Sequence, residues 1–139
     1  MPRTRVETRA RARVLQALYA WDLRGEHQLD RVATQIWDDL SVASDERMSA
    51  RPLIDTVGNH LREIDGLIAE VTTNWRLERL SVIDRCVLRL GAAELQNGAT
   101  PARVVIQEAL RLAERYGSLK SASFVNGVLD ALARRMGRL

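Results

Sequence analysis

Cysteine occurs once in the 139 residues, at Cys86, so no internal disulfide can staple the fold. The two histidines, His27 and His60, lie far apart without cysteine neighbours and leave no plausible zinc set. No window approaches the roughly 18 uncharged apolar residues of a membrane span. The basic N-terminus has no apolar stretch behind it, so no signal peptide is read and a cytoplasmic protein is expected. Runs alternating β-branched or aromatic with polar residues are missing, which argues against strands. Also missing are a nucleophile with its base, a carboxylate pair in a readable cleft and a phosphate loop, so neither an enzyme nor a cofactor is expected.

What is present is an ordinary globular composition, 46% hydrophobic and 28% charged, of a length that fits one domain over residues 1–139. Lys120 is the one lysine, so arginine supplies 20 of the 21 basic residues. Their placement is uneven. Arg3, Arg5, Arg9, Arg11 and Arg13 face a single acid, Glu7, in the first thirteen residues, whereas the remaining 126 carry 16 basic and 17 acidic groups. An excess of positive charge confined to one end is expected of a surface that meets a polyanion.

The long segments follow a helical period, and an all-α protein is predicted. Thr4 and Glu7 resemble a capping box opening a first helix, with Val14, Leu15, Leu18 and Trp21 on one face until Gly25. A second helix covers Leu29 to Leu40. Ser41 to Ser49 reads as a polar loop with at most a turn of helix before Pro52. From Leu53 the apolar positions Val57, Leu61, Ile64, Ile68, Val71 and Trp75 predict one long helix, which Gly58 and Gly66 weaken by about 1 kcal/mol each. Ser81 and Asp84 open a helix apolar on two sides, suited to the middle of a bundle. Thr100 as N-cap with Pro101 at the first position, and Tyr116-Gly117 as the stop, bound another, buried through Ala102, Ile106, Ala109 and Ala113. Ser121 or Ser123 caps a last helix holding Phe124, Val125, Val128, Leu129 and Leu132. Short connections suit helices that pack antiparallel or cross steeply.

At about 100° per residue, Arg5, Arg9, Arg13 and Gln16 fall in one polar stripe of the first helix, a basic ridge opposite Leu18. Arg11 points to the side of Leu15 and Leu18. The first two turns are therefore expected to project beyond the core, exposing both sides. Cations at a helix N-terminus oppose the macrodipole by about 0.3–1 kcal/mol each, so stability alone would not select them. Phosphates would, through counterion release and the forked bonds of guanidinium. Cys86 reads as a buried, inert thiol, and the doublets Asp38-Asp39 and Asp45-Glu46 as solvated. A second reading, a helical protein-interaction adaptor or dimerising regulator with merely solvated arginines, stays open. So does a homodimer formed through apolar surface of the first two helices.

The string Phe124-Val125-Asn126-Gly127-Val128-Leu129-Asp130 resembles the signature of the NusB family of bacterial transcription antitermination factors. Gln16-Ala17-Leu18-Tyr19, Ile64-Asp65-Gly66-Leu67-Ile68 and Asp84-Arg85-Cys86-Val87-Leu88-Arg89-Leu90 agree with it. The resemblance implies a compact all-helical fold of two small bundles packed across each other, with no reaction catalysed. It implies binding of single-stranded boxA RNA together with NusE, a small-subunit ribosomal protein, and loading onto RNA polymerase with NusA and NusG to suppress premature termination, chiefly in ribosomal RNA operons. Carried onto this chain, the RNA-binding residues are Arg9, Arg11 and Arg13, continued by Gln16 and Tyr19, with Arg5 beside them. Lys120 lies in the loop before the signature, where some relatives carry an acid. Phe124 fits either a ring that stacks on an unpaired base or a core aromatic, and Asn126 either a base contact or a loop tie. Asp84, Arg85 and Glu94, expected to be exposed, are the candidates for the NusE face.

Overall fold

A computed structural model describes residues 5–25, 28–72 and 74–139. Thr4, the start of the anticipated capping box, and His27 lie outside these residues, as does Arg3. Seven α-helices and one 3-10 turn appear among the described residues, and no strand. They are α1 Arg5–Arg24, α2 Leu29–Asp39, α3 Ser44–Asn59, α4 Leu61–Val71, the 3-10 turn Leu77–Arg79, α5 Val82–Asn97, α6 Ala102–Tyr116 and α7 Ser121–Arg135. The all-α reading therefore holds. α1 packs on α2 and α3, α5 packs on α4, α6 and α7, and the two groups meet chiefly where α1 and α3 cross α5.

α5 is the axle. Cys86, Val87, Leu88 and every residue from Leu90 to Leu95 are buried, so the helix is enclosed on nearly all sides. It starts as the sequence indicates, with the Ser81 side chain accepting from the Asp84 N–H at 3.2 Å. Gly98, at φ 74°, closes it in the left-handed conformation. Arg11 of α1 meets Glu94 near the end of α5, and Asp22 meets Arg85 near its start, so α1 runs antiparallel to α5. α7 runs parallel to it, with Leu129 lying over Gly91 and Arg138 reaching the Leu95 carbonyl.

Four expectations are corrected. Residues 44–49 are not loop but the opening of α3, which carries Pro52 in its interior. Proline there forfeits a backbone bond and costs about 3 kcal/mol. The carbonyl it leaves belongs to exposed Met48, which water can reach, while Ala50, Ile54 and Val57 bury the opposite face. The single helix drawn from Leu53 to Trp75 is broken at His60, whose φ of −127° and ψ of 27° separate α3 from α4. Val57, Ile64 and Ile68 are all fully buried, so the apolar seam runs across the break, but α4 ends at Val71 and Trp75 lies beyond it. The cap of α6 falls one residue later than predicted, at Pro101, whose carbonyl accepts from the Val104 and Val105 N–H groups. The last helix begins at Ser121 with Lys120 as its N-cap residue.

A charged network fixes the far end of α1. Asp22 accepts from Arg85 at 2.6 and 2.8 Å and from Arg89 at 3.1 Å, and Arg89 also donates to Asp65 of α4. The hydrogen bonds from Arg85 hold the Asp22 carboxyl below its ordinary value of 3.8, against the opposing effect of burial. A carboxylate with a depressed folded-state pKa contributes stability above its unfolded value and loses it as the pH falls through the folded one. Asp22→Asn should therefore be about 1.5–3 kcal/mol less stable than the parent near neutral pH, a gap that closes below about pH 4, as followed by urea denaturation over a pH series.

Gly117 ends α6 where a Cβ would lie 2.6 Å from the Ser121 Cβ and 2.7 Å from the Ala113 carbonyl oxygen. The Ser121 hydroxyl accepts from the Ser118 N–H at 2.9 Å, tying the link between α6 and α7. Gly117→Ala should cost about 1–3 kcal/mol in chemical denaturation, because backbone must shift to admit the methyl group.

Candidate nucleic-acid interface

Helical geometry gathers the basic ridge on the outer face of α1. Arg5 is exposed, Arg9 largely so, Arg13 and Gln16 partly, and Tyr19 continues the stripe at 40% exposure. Leu23, at 61%, ends it. The ridge is not a row of free side chains. Glu46 of α3, itself buried, accepts from Arg13 Nε at 2.9 Å and lies 3.4 Å from Arg9 Nε. Arg13 Nη1 also donates to Gln16 Oε1 at 3.2 Å, and the indole N–H of fully buried Trp37 donates to the Arg13 carbonyl at 3.2 Å. Glu46 is thus a site residue that the sequence reading assigned to solvent. Its signal was the spacing Glu46, Ala50, Ile54 and Val57, legible only if a carboxylate is allowed on a buried face.

Arg11 departs from expectation. Its side chain is 7% exposed and makes a bidentate pair with Glu94, Nε to Oε2 at 2.8 Å and Nη2 to Oε1 at 2.7 Å. Glu108 of α6 stands 4.0 Å from Nη1 and accepts from the Thr8 hydroxyl at 3.1 Å. Burial pulls the guanidinium pKa down, but the bond to Glu94 and the charges of Glu94, Glu108 and Glu7 outweigh it and hold the pKa above the ordinary value. The first turns of α1 therefore do not project beyond the core, since Ala10 and Arg11 are already inside. A guanidinium is accommodated on the apolar side because two carboxylates from neighbouring helices meet it there.

The same contacts revise the partner candidates. Glu94 is buried against Arg11, and Arg85 is spent on Asp22 and on the carbonyls of Leu77 and Leu80, so neither is the exposed charge that was expected. Asp84 is partly buried, with its N–H held by Ser81 and its Oδ1 out of solvent. Cys86 is enclosed, and burial, with Asp22 adding to it, pushes its thiol pKa up to about 12. That is an inert thiol, as expected. No group of three or more metal-binding side chains occurs among the described residues.

Lys120 is exposed at the link between α6 and α7. Phe124, one turn into α7, is half-buried against the core, and its ring meets Trp75 edge to face, with centroids 6.1 Å apart and an interplanar angle of 72°. Asn126 is exposed and its side chain makes no hydrogen bond among the described residues, so it ties down no loop. Two residues from Phe124 it points to another side of α7. Nor does Phe124 lie level with the arginines of the ridge. Phe124 lies five residues before Leu129, which covers Gly91, so it stands level with the first half of α5 while Arg11 is held at Glu94. The turn that holds Arg9 to Arg13 is thus about 12 Å from Phe124 along that axis, and the ridge runs back from there to Tyr19.

Residues 8–134 match the family model described as the NusB family. The chain belongs to the NusB family. The transcription antitermination protein NusB of Anaeromyxobacter dehalogenans is 45% identical over 127 residues, covering 91% of this chain and 89% of that protein. T. maritima NusB superposes with a TM-score of 0.86 at 36% identity, covering 96% of this chain and 93% of the other. A structure of the antitermination factors NusB and NusE in complex with double-stranded RNA matches with a TM-score of 0.86 at 31% identity, over 96% and 99% of the two chains. The NusB fold anticipated from the signature is therefore the one adopted, and no helix among the described residues is long and apolar enough to cross a membrane.

The pairing of Arg11 yields a test that separates it from its neighbours on α1. Arg11→Ala strands two carboxylates in the interior and should destabilise the fold by about 3–5 kcal/mol in thermal or denaturant unfolding. Arg5→Ala should leave the unfolding midpoint where it was. Equal, small effects of both would mean that Arg11 is solvated.

Proposed function

We propose that this protein is a non-catalytic transcription antitermination factor that binds boxA-type single-stranded RNA together with NusE, residues 1–139 acting as one RNA-binding domain. The observation that carries the reading is the outer face of α1, where Arg5, Arg9, Arg13, Gln16 and Tyr19 line up while the one out-of-phase arginine, Arg11, is withdrawn into the core. The NusB relatives are antitermination proteins by name, and one matched structure joins NusB to NusE and RNA. The RNA in that structure is double-stranded. The single-stranded reading is favoured for this chain by Lys120 and the partly exposed Phe124 ring, which suit an unpaired base. Asn126, on another side of α7, would reach a neighbouring nucleotide.

Of the partner candidates, Asp84 is retained for the NusE face, whereas Arg85 and Glu94 serve the interior. Loading onto RNA polymerase with NusA and NusG belongs to the same proposal. A homodimer would use Leu23 of α1 and Leu40 after α2, both exposed.

Titration of labelled boxA and scrambled RNA at several salt concentrations, with and without NusE, tests the reading. Binding should be tighter for boxA and tighter still with NusE. Arg9→Ala should weaken all RNAs and lower the slope of log K against log salt by about one unit. Phe124→Ala should cost about 1–3 kcal/mol of RNA affinity. Folded protein that binds neither RNA in any buffer would return the chain to the adaptor reading.

A further inference from the structure

Trp75 is the one large aromatic side chain left more than half exposed among the described residues, at 59%. It does not hang free. Its backbone N–H donates to the Thr72 carbonyl at 2.9 Å, which fixes the main chain there, and its ring meets Phe124, which in turn packs against the core. Two rings at 72° form a step whose outer surface is indole held open to solvent. Cations neighbour the two rings in sequence. Arg76 and Arg79 follow Trp75 in the chain, Lys120 precedes Phe124 by one turn, and all three are exposed. None of their side chains has an ion-pair or hydrogen-bond partner among the described residues, in contrast to those of Arg13, Arg85 and Arg89, which are all engaged. Glu78 is the one acid in the segment that follows Trp75 up to α5 and precedes Ser81.

An immobilised aromatic face beside unpaired cations is the combination by which single strands are held, bases stacking on the ring while the cations neutralise phosphates. Aromatic rings and arginine also suit protein interfaces, but there the three unpaired cations would have to be desolvated, whereas phosphates neutralise them while they stay solvated. We propose that Trp75 is a base-stacking residue and that, with Arg76 and Arg79, it extends the Lys120 and Phe124 site into an RNA anchor distinct from the arginines of α1. The inference rests on the RNA-binding reading above. With Arg9 and Arg13 it gives the strand two points of attachment about 12 Å apart along α5, so binding should strengthen once an oligonucleotide is long enough to reach both.

Intrinsic fluorescence reads the anchor directly. Trp37 is fully buried and Trp21 is half-buried with Arg89 over its ring, which leaves Trp75 as the indole that bases can reach. With a single-stranded RNA of about 12 nucleotides, the parent protein should lose fluorescence on binding. Trp75→Phe should bind within about threefold of the parent but without most of that quenching. Trp75→Ala, checked for an unchanged melting temperature, should bind roughly tenfold more weakly and lose the gain from longer RNA. RNA binding by Trp75→Ala as tight as the parent's, with quenching intact in Trp75→Phe, would overturn the anchor while leaving the ridge standing. Loss of NusE binding with RNA affinity unchanged would assign the ring to protein and overturn it too. If the parent itself bound no RNA, the broader reading would fail, and the anchor with it.

Discussion

Arg11 held between Glu94 and Glu108 sets the rotation of α1, and most of the proposed surface follows from it. The three charges come from three helices, so the contact forms only when α1, α5 and α6 are assembled. Isolated buried ion pairs add little net stability, because desolvation offsets the attraction, but a wrongly rotated helix would leave the guanidinium facing leucine and two carboxylates unmatched. With Arg11 inward, a period of 3.6 residues sends Arg9 and Arg13 to the outer face and places Gln16 and Tyr19 in line. The interior contact and the exposed ridge are one constraint seen from two sides.

Order within the ridge has a similar origin. Glu46 comes from α3, which packs along α1, and it offsets two like charges that would otherwise repel each other and the helix dipole. It also narrows their freedom before any ligand arrives, which reduces the entropy lost when they bind. Glu46 does not exhaust them. Arg13 uses Nε on Glu46 and Nη1 on Gln16, and a guanidinium has five donors, so hydrogens remain for phosphate. Lysine, with one compact ammonium, could not hold an internal carboxylate and present a second donor edge at once.

How much of this could be read from the sequence depended on whether the relevant residue kept to a simple pattern. The N-cap of α5, the buried face of α6 and the outer stripe of α1 were legible because Ser81, Ala102 to Ala113 and Arg5 to Gln16 obey the helical period with little competition. α3 was concealed by a buried Glu46 and an interior Pro52, each of which breaks a local rule and is compensated only by packing against α1. The break at His60 left no trace, since the apolar positions stay in phase across it. Arg11 was seen to point the wrong way, but its partners lie 83 and 97 residues further along the chain, and no local window contains them. The Phe124 site was legible as a motif, whereas Trp75 was drawn into a helix seam because its spacing fits one.

The preference for arginine also acquires a physical meaning once the partners are known. Arg47 donates to the Trp37 and Val42 carbonyls and to Asp38, closing the end of α2. Arg138 reaches the carbonyls of Leu95 and Thr100 beyond α5, and Arg85 spans Asp22 and two carbonyls. Each is a fork satisfying several acceptors that helix ends leave open. Such arginines are structural and carry no information about a polyanion. The count of basic residues is therefore a poor guide to function in this chain, and pairing is the better one. Arg76, Arg79 and Lys120 share their lack of a side-chain partner with Arg62, Arg103 and Arg111, and differ from them in neighbouring the Trp75 and Phe124 rings in sequence, while Arg9 and Arg13 are oriented by Glu46 and still face outward.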